Sequence, residues 1–194
     1  MIFLDSALRY TGILLIAARI AYWMYEEYQT QQSRPTIYKT SIRALLMRLM
    51  TSAFNVFLIF QLLGLQILPY DNLLSSRLLG ICMIILSTIL FYLARIELGA
   101  NWSHASDYQI KKKHTLVTSG LYAYIRHPIY LAFLLSGLGV QFIVGSYLLL
   151  LLSIVLPWIL YWQAKAEEKI LAAHFGDAYT EYRKKTFLFL PFIL

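Results

Sequence analysis

Long apolar segments alternate with short polar ones along this chain, and their lengths predict membrane-spanning helices. The first apolar segment covers residues 6–25, the second 44–68 and the third 78–98. Residues 128–165 are then almost continuously apolar, which is room for two spans joined by a turn at Gly145 and Ser146. The pattern therefore predicts about five transmembrane helices of about 20 residues each.

The C-terminal tail has a different pattern. From Glu167 to about Tyr182 it is amphipathic and polar, which predicts an interfacial helix, and a basic segment follows at 183–185. The last apolar run, 187–194, is too short to cross a bilayer, so we expect it to lie against the protein or the interface. Because no repeat or low-complexity linker divides the chain, we predict a single membrane domain, residues 1–194.

Composition narrows the class further. Hydrophobic residues make up 59% of the chain and charged residues 14%, whereas a soluble domain carries about 45–50% and about 25%. The predicted fold class is therefore an all-α integral membrane protein. The single cysteine, Cys82, lies in an apolar run, so neither a disulfide framework nor a cysteine-rich metal site is expected. Any active site must be built from helix ends and loops.

The basic residues are distributed unevenly between the loops. They concentrate in the first loop, in the third loop and in the tail, whereas the opposite side of the membrane carries only Arg77. By the positive-inside rule, the N-terminus lies outside and the third loop and C-terminus lie in the cytoplasm. The net charge of +7 is then explained by topology and by attraction to anionic membrane lipid. We therefore expect no nucleic-acid partner.

Polar residues flank the last two predicted spans on this cytoplasmic side. Helix four begins at His127 and Pro128, and helix five ends near Glu167 and Glu168, so a tight hairpin would bring the two sets together. Proline suits the first turn of a helix, and the free N–H groups there favour an anionic ligand. The alternative is structural: Arg126 and His127 would only anchor a helix end, and the glutamates would be a solvated interfacial pair.

Four motifs in this half of the chain carry a family resemblance. They are His-Thr-Leu-Val-Thr-Ser-Gly-Leu-Tyr at 114–122, Arg-His-Pro-Ile-Tyr at 126–130, Glu167-Glu168, and His174-Phe175-Gly176 with Tyr179 and Tyr182. In this order they resemble the C-terminal signature of isoprenylcysteine carboxyl methyltransferases, and we interpret the chain as a prokaryotic member. The resemblance makes residues 78–194 the methyltransferase-like part. Helices one and two, within 1–70, match no known pattern.

The resemblance implies a membrane-embedded methyltransferase that uses S-adenosyl-L-methionine. The cofactor would enter from the cytoplasm, and a prenylated or lipid-like acceptor would enter from the bilayer. The pocket would be formed by the third loop, the helix 4–5 hairpin and the C-terminal amphipathic helix. The implied cofactor-binding residues are His114, Thr115, Leu116, Val117, Tyr122, His127, Pro128, Ile129, Tyr130 and Glu167.

The expected acceptor is the carboxylate of an isoprenylcysteine-like compound. A carboxylate is ionised at neutral pH, so its methylation needs no general base and no metal. Arg126 is the best local candidate to hold that carboxylate, and Glu168 is the candidate base for an amine acceptor. Eukaryotic members of the family place an arginine about one turn before the glutamate pair. This chain has Gln163 there, a candidate substrate-binding residue that puts the carboxylate acceptor in question.

Three other functions remain open at this stage. Phospholipid N-methyltransferases are small membrane enzymes that share the tail architecture. Membrane reductases of isoprenoid or sterol double bonds have similar C-terminal motifs and use NADPH, although only Lys111, Lys112 and Lys113 are available here for a 2′-phosphate. A non-enzymatic helical bundle that transports or scaffolds would leave the ordered motifs unexplained.

Overall fold

The computed structural model describes residues 2–32, 42–101 and 115–189, and within these ranges the regular structure is helical. Two short 3-10 turns, Gly99–Asn101 and Gly120–Ala123, lie on either side of the third loop. The longer elements are α1 (Ile2–Gln32), α2 (Ile42–Leu62), α3 (Leu74–Leu98), α4 (Pro128–Val144), α5 (Leu148–Phe175) and α6 (Asp177–Lys184). The predicted all-α class is confirmed.

The surfaces of the helices are typical of a protein surrounded by lipid. In the described ranges, α3 and α5 are long and apolar enough to cross a membrane. Large apolar side chains face outward along the bundle, among them Leu14, Phe60 and Ile154, and contiguous apolar surface of this kind needs an apolar surrounding. The count of five spans and the orientation of the termini stay predictions.

The expected end of the fifth helix was wrong. We placed it near Glu167, with a separate interfacial helix from there to Tyr182, but α5 runs without a break to Phe175. Residues 163–175 contain mostly strong helix formers, so polarity alone does not end the helix. The break falls at Gly176, which has a φ of 56° that favours glycine. Glu167 and Glu168 therefore lie inside a continuous helix.

The connections on the opposite side of the bundle follow local turn signals. Gly145 ends α4 in the left-handed conformation, with a φ of 65°, so the predicted turn at Gly145 and Ser146 is confirmed. Its carbonyl accepts a 2.9 Å hydrogen bond from the Tyr70 N–H. The second helix ends at Leu62 rather than near residue 68, because Gly64 takes a φ of 119° that leaves the helical region.

Close contact between α3 and α4 holds the start of α4 in place. A Cβ added to Gly80 would lie 2.5 Å from the Gly139 carbonyl oxygen, so the two backbones touch where neither residue has a side chain. Around this contact, the Gln61 and Gln141 amides bond each other at 3.2 and 2.8 Å. The buried apolar core beside them comprises Leu8, Ile16, Leu58, Leu62, Ile81, Ile84, Val140 and Ile143.

We expect Gly80→Ala to lower the free energy of unfolding by about 1–3 kcal/mol, because the added methyl group forces α3 away from α4. The matched control is Cys82→Ala on the exposed face of the same helix, which should change stability little. Unfolding of the purified protein in detergent, followed by circular dichroism, measures both. Equal midpoints for the two variants would contradict this account of the packing.

Candidate active site

The segment before α4 pairs with the C-terminal tail. The Arg126 N–H donates to the Phe187 carbonyl at 2.8 Å, and the His127 N–H donates to the Leu188 carbonyl at 3.1 Å. The Phe187 N–H donates in return to the Tyr124 carbonyl at 2.9 Å. The expectation that the last apolar run lies against the protein is therefore confirmed for residues 187–189. The tail fixes the backbone from which α4 begins.

A buried ion pair joins this segment to α5. Arg126 Nε lies 2.5 Å from Glu168 Oε1, with side chains 7% and 3% exposed. The same guanidinium donates to the Thr186 carbonyl, to Thr186 Oγ1 at 3.3 Å and to the Arg183 carbonyl at 3.3 Å. Arg126 therefore connects the segment before α4, the C-terminal part of α5 and the tail.

The neighbouring Glu167 lies on a more open side of α5. Its side chain is 19% exposed. One of its oxygens accepts hydrogen bonds from the Tyr130 hydroxyl and from Gln163 Nε2, the latter at 3.2 Å. Gln163 thus faces the Glu167 carboxylate, one turn earlier on the same helix.

His127 lies between the two glutamates. Its Nδ1 is 3.6 Å from Glu167 Oε2, and its ring stacks on Tyr130 with centroids 5.3 Å apart. Burial lowers the pKa of His127 to about 4, so the imidazole is neutral at physiological pH and its contacts with the carboxylates are not ion pairs. Its buried Nε2 has no hydrogen-bond partner in the described part of the chain. A bound ligand can supply one.

Tyrosines close the side of the site that faces the tail. Tyr122 is 6% exposed, and its carbonyl accepts a 2.8 Å hydrogen bond from the Tyr182 hydroxyl. Burial raises the pKa of Tyr182 to about 12, so this hydroxyl stays protonated and keeps its role as a donor. Two of the aromatic residues in the sequence motifs therefore bind each other.

Sequence reasoning missed two polar partners at the end of α3. The Thr115 N–H and hydroxyl both donate to Asn101 Oδ1, at 2.9 and 3.1 Å, and the Ser119 hydroxyl donates to Glu97 Oε2 at 2.9 Å. A Cβ on Gly120 would lie 2.2 Å from Glu97 Oε1. Polar residues in the last turn of an apolar span and directly after it were the available signal.

The predicted site residues fall into three groups. His127, Tyr130, Gln163 and Glu167 meet at the α4–α5 junction beside the Arg126–Glu168 pair. Thr115, Leu116, Val117 and Tyr122 follow the third loop, whereas His114 lies outside the described residues. Pro128 is buried in the first turn of α4, and Ile129 lines a different cavity, described below.

These residues fit S-adenosylmethionine in their chemistry. Glu167 can accept from a ribose hydroxyl or an amino group, the neutral His127 leaves one nitrogen to bond, and the aromatic rings suit an adenine or a sulfonium. The described residues contain no cluster of three or more histidine, cysteine or acidic residues that could hold a metal ion.

Comparison with known proteins gives the family. The phospholipid methyltransferase family model matches residues 75–178, which is more than half of the chain. The chain belongs to the phospholipid methyltransferase family. The matched region contains α3, α4, α5, the Arg126–Glu168 pair and Glu167, so the family's characteristic segment is the one that builds the site.

Curated proteins similar to this family member carry a more specific name. A protein-S-isoprenylcysteine O-methyltransferase of Schizosaccharomyces pombe is 39% identical over 101 residues, 52% of this chain and 43% of that protein. One from Xenopus laevis is 33% identical over 116 residues, 59% of this chain and 40% of that protein. The chain spans about two fifths of the length of these relatives. Both organisms are eukaryotes, and the prokaryotic source stays a prediction.

The fold is similar to that of a protein whose structure has been solved. A solved structure of a eukaryotic intramembrane Ras methyltransferase, isoprenylcysteine carboxyl methyltransferase, superposes with a TM-score of 0.66 at 20% identity. The match covers 97% of this chain and 68% of that one. Helices α1 and α2 of this phospholipid methyltransferase family member therefore belong to a known intramembrane fold, although their sequence showed no pattern we could assign.

We expect Arg126→Met to lower the free energy of unfolding by about 3–5 kcal/mol, because it leaves the buried Glu168 unpaired. Adding Glu168→Gln should recover part of that loss, since the double variant buries no uncompensated charge. The control is Lys184→Gln with Glu181→Gln, which removes an exposed pair and should cost under about 1 kcal/mol. Denaturation of all variants measures the coupling, and strictly additive losses would refute it.

Proposed function

We propose that this chain is an S-adenosylmethionine-dependent methyltransferase that methylates the carboxylate of an isoprenylcysteine-like lipid. The observation that carries the proposal is the junction of α4 and α5, where His127, Tyr130, Gln163 and Glu167 lie in contact. The similarity to proteins named isoprenylcysteine O-methyltransferases supports the acceptor class. The positive-inside rule predicts that this site faces the cytoplasm, and the family resemblance implies that the cofactor enters from there.

S-adenosylmethionine, when bound, would supply a methyl group whose bond to sulfur breaks as its bond to the acceptor oxygen or nitrogen forms, with S-adenosylhomocysteine as the leaving group. Glu167 and the neutral His127 hold a ligand through hydrogen bonds, and Tyr130 fixes the Glu167 carboxylate. Thr115 to Val117 bind the ligand from the third loop, on the side anchored by Asn101. Tyr122 would line the cofactor site beside these residues.

For Arg126 and Glu168 we propose a role other than acceptor binding and general base, the roles that the sequence predicts. We assign them to positioning, because the guanidinium bonds Glu168 and two backbone carbonyls of the tail. An arginine whose charge is balanced by a buried carboxylate gains little from binding an anionic acceptor, and a carboxylate in this ion pair is a poor base. Their contribution is to hold Glu167 and His127 at the distances the ligand requires.

Methyl transfer to a carboxylate requires mainly that the protein orient the acceptor and exclude water from the site. A carboxylate acceptor is already ionised at neutral pH, so no proton has to be removed. Holding the acceptor oxygen in line with the transferred methyl group, in a site with little water, supplies much of the rate. The side chains at the α4–α5 junction are largely buried, with Arg126, His127 and Glu168 only 7%, 8% and 3% exposed, so the site has little room for water.

Phospholipid N-methylation is the second candidate, and two observations favour it. The matching family model is described as phospholipid methyltransferase, and the position where an acceptor-binding arginine is expected holds Gln163, which bonds Glu167. A protonated amine must lose a proton before it is methylated. The two acceptors therefore give chemically different products, which an experiment can separate.

Burial raises the pKa of Glu167 to about 7, so the side chain is a charged acceptor only above that pH. In a calorimetric titration above this pKa, purified protein should bind S-adenosylhomocysteine, and Glu167→Gln should weaken that binding about tenfold by removing the charged acceptor. The matched control is Glu181→Gln on the exposed face of α6, which should bind as the unchanged protein does. An absence of heat at millimolar ligand, together with tight binding of NADPH, would overturn the methyltransferase proposal in favour of a reductase.

The methylated product should release volatile methanol in mild base when the reaction is run with S-adenosylmethionine labelled at the methyl group. A methyl ester hydrolyses under these conditions, whereas a methylamine does not. Membranes containing both a prenylated cysteine acid and phosphatidylethanolamine serve as acceptors in one assay. Label that stays with the phospholipid after base treatment would favour N-methylation.

A further inference from the structure

A second polar site lies deeper in the bundle, around Arg19 in the middle of α1. The residue is 6% exposed. Its guanidinium donates to three neutral oxygens on three other helices: Ser87 Oγ at 2.8 Å, Ser136 Oγ at 3.0 Å and Asn55 Oδ1 at 3.3 Å. No carboxylate in the described part of the chain lies within ion-pair distance of it.

This arrangement sets Arg19 apart from the arginines at the two ends of the bundle. Arg9 and Arg77 both bond Asp5, Arg95 bonds Glu26, and Arg126 bonds Glu168. An ionisable side chain inside a membrane bundle is costly, and it usually marks the place where a substrate or an ion binds. Three other helices orient Arg19 through its hydrogen bonds, yet none of these contacts neutralises its charge.

A cavity of about 290 Å³ opens beside this guanidinium. Its walls are mainly apolar and aromatic, with Trp23, Phe91 and Phe133 on three helices, and Arg48 lies on its α2 side. Met24 and Val56 line it and are also exposed on the outer surface of the bundle. The cavity is therefore accessible from the bilayer.

The cavity adjoins the candidate active site through the first turn of α4. Ile129 lines the cavity, and the next residue, Tyr130, bonds Glu167. Consecutive residues of a helix point about 100° apart, so the first turn of α4 faces the cavity with one residue and Glu167 with the next. A molecule in the cavity and a ligand at Glu167 therefore share this helical turn as a wall.

We propose that this cavity binds the methyl acceptor and that Arg19 binds the acceptor's carboxylate, an inference that rests on the proposed function. The prenyl chain packs against the aromatic walls and extends toward the lipid. The guanidinium of Arg19 bonds neutral oxygens of Ser87, Asn55 and Ser136. The acceptor's carboxylate forms a charge-assisted hydrogen bond with the same guanidinium. A glutamine at position 163 is then compatible with a carboxylate acceptor, because Arg19 on α1 replaces the arginine that α5 lacks.

The competing explanation is that Arg19 only joins the four helices. The two explanations differ in what the charge does. A purely structural arginine affects the folding of the protein and has no preference between a charged and an uncharged acceptor. An arginine that binds the acceptor discriminates between a carboxylate and its uncharged amide, even when the hydrocarbon chain is the same.

The test compares the binding of N-acetyl-S-farnesylcysteine and its carboxamide to the full chain in lipid nanodiscs. The unchanged protein should bind the acid about tenfold or more tightly than the amide, and Arg19→Gln should reduce that ratio to about one. Arg77→Gln removes a cation at the far end of the bundle and should keep the preference. Binding of S-adenosylhomocysteine, measured in parallel, should not change in any of these proteins.

A preference for the acid that survives Arg19→Gln would overturn the proposal. If this variant does not fold, Ser52→Trp places a large side chain in the cavity from α2, at a lining residue that is not among the hydrogen-bond partners of Arg19. It should abolish binding of both compounds and spare S-adenosylhomocysteine, and unaltered binding would also overturn the proposal. An unchanged protein that binds S-adenosylhomocysteine but neither farnesyl compound refutes this inference alone. Failure to bind S-adenosylhomocysteine refutes the proposed function.

Discussion

The buried ion pair between Arg126 and Glu168 determines how the rest of the site is arranged. It joins the segment just before α4 to the C-terminal part of α5, and Nη1 of the same guanidinium holds the tail through Thr186 and Arg183. Because an unpaired charge at this depth is very costly, these segments keep one relative position. Glu167 and His127 each lie next in sequence to a member of the pair, so their spacing follows from it.

Two adjacent glutamates serve different purposes because α5 is continuous through them. Neighbouring residues on a helix point about 100° apart. Glu168 therefore faces Arg126, with its side chain 3% exposed, whereas Glu167 faces the open side with 19% exposure and bonds Tyr130. One carboxylate stabilises the junction of α4 and α5, and the other remains available for a ligand. An end to the helix at Glu167 would have left both in solvent.

Features determined by nearby residues could be predicted from the sequence, and those determined by distant contacts could not. Pro128 and Gly145 mark the bounds of α4 by their own backbone preferences, and the α4–α5 hairpin then brings the two motifs together as expected. The contact of Glu97 with Ser119 spans the third loop, and the tail pairs with a segment some sixty residues earlier. No local pattern encodes either contact. The end of α5 was misplaced because polarity was weighed above helix propensity.

The charge arrangement also bears on how a product would leave. In the described part of the chain, Asp5 and Glu26 neutralise arginines at the two ends of the bundle, and Arg19 between them bonds neutral oxygens. If Arg19 binds the acceptor, methylation replaces the anion it contacts with an uncharged ester, and the charge-assisted bond weakens. The hydrocarbon chain keeps its contacts, but it gains as much from the surrounding lipid as from the cavity. The reaction itself would therefore lower the affinity for its product, and the ester would return to the bilayer without any movement of the helices.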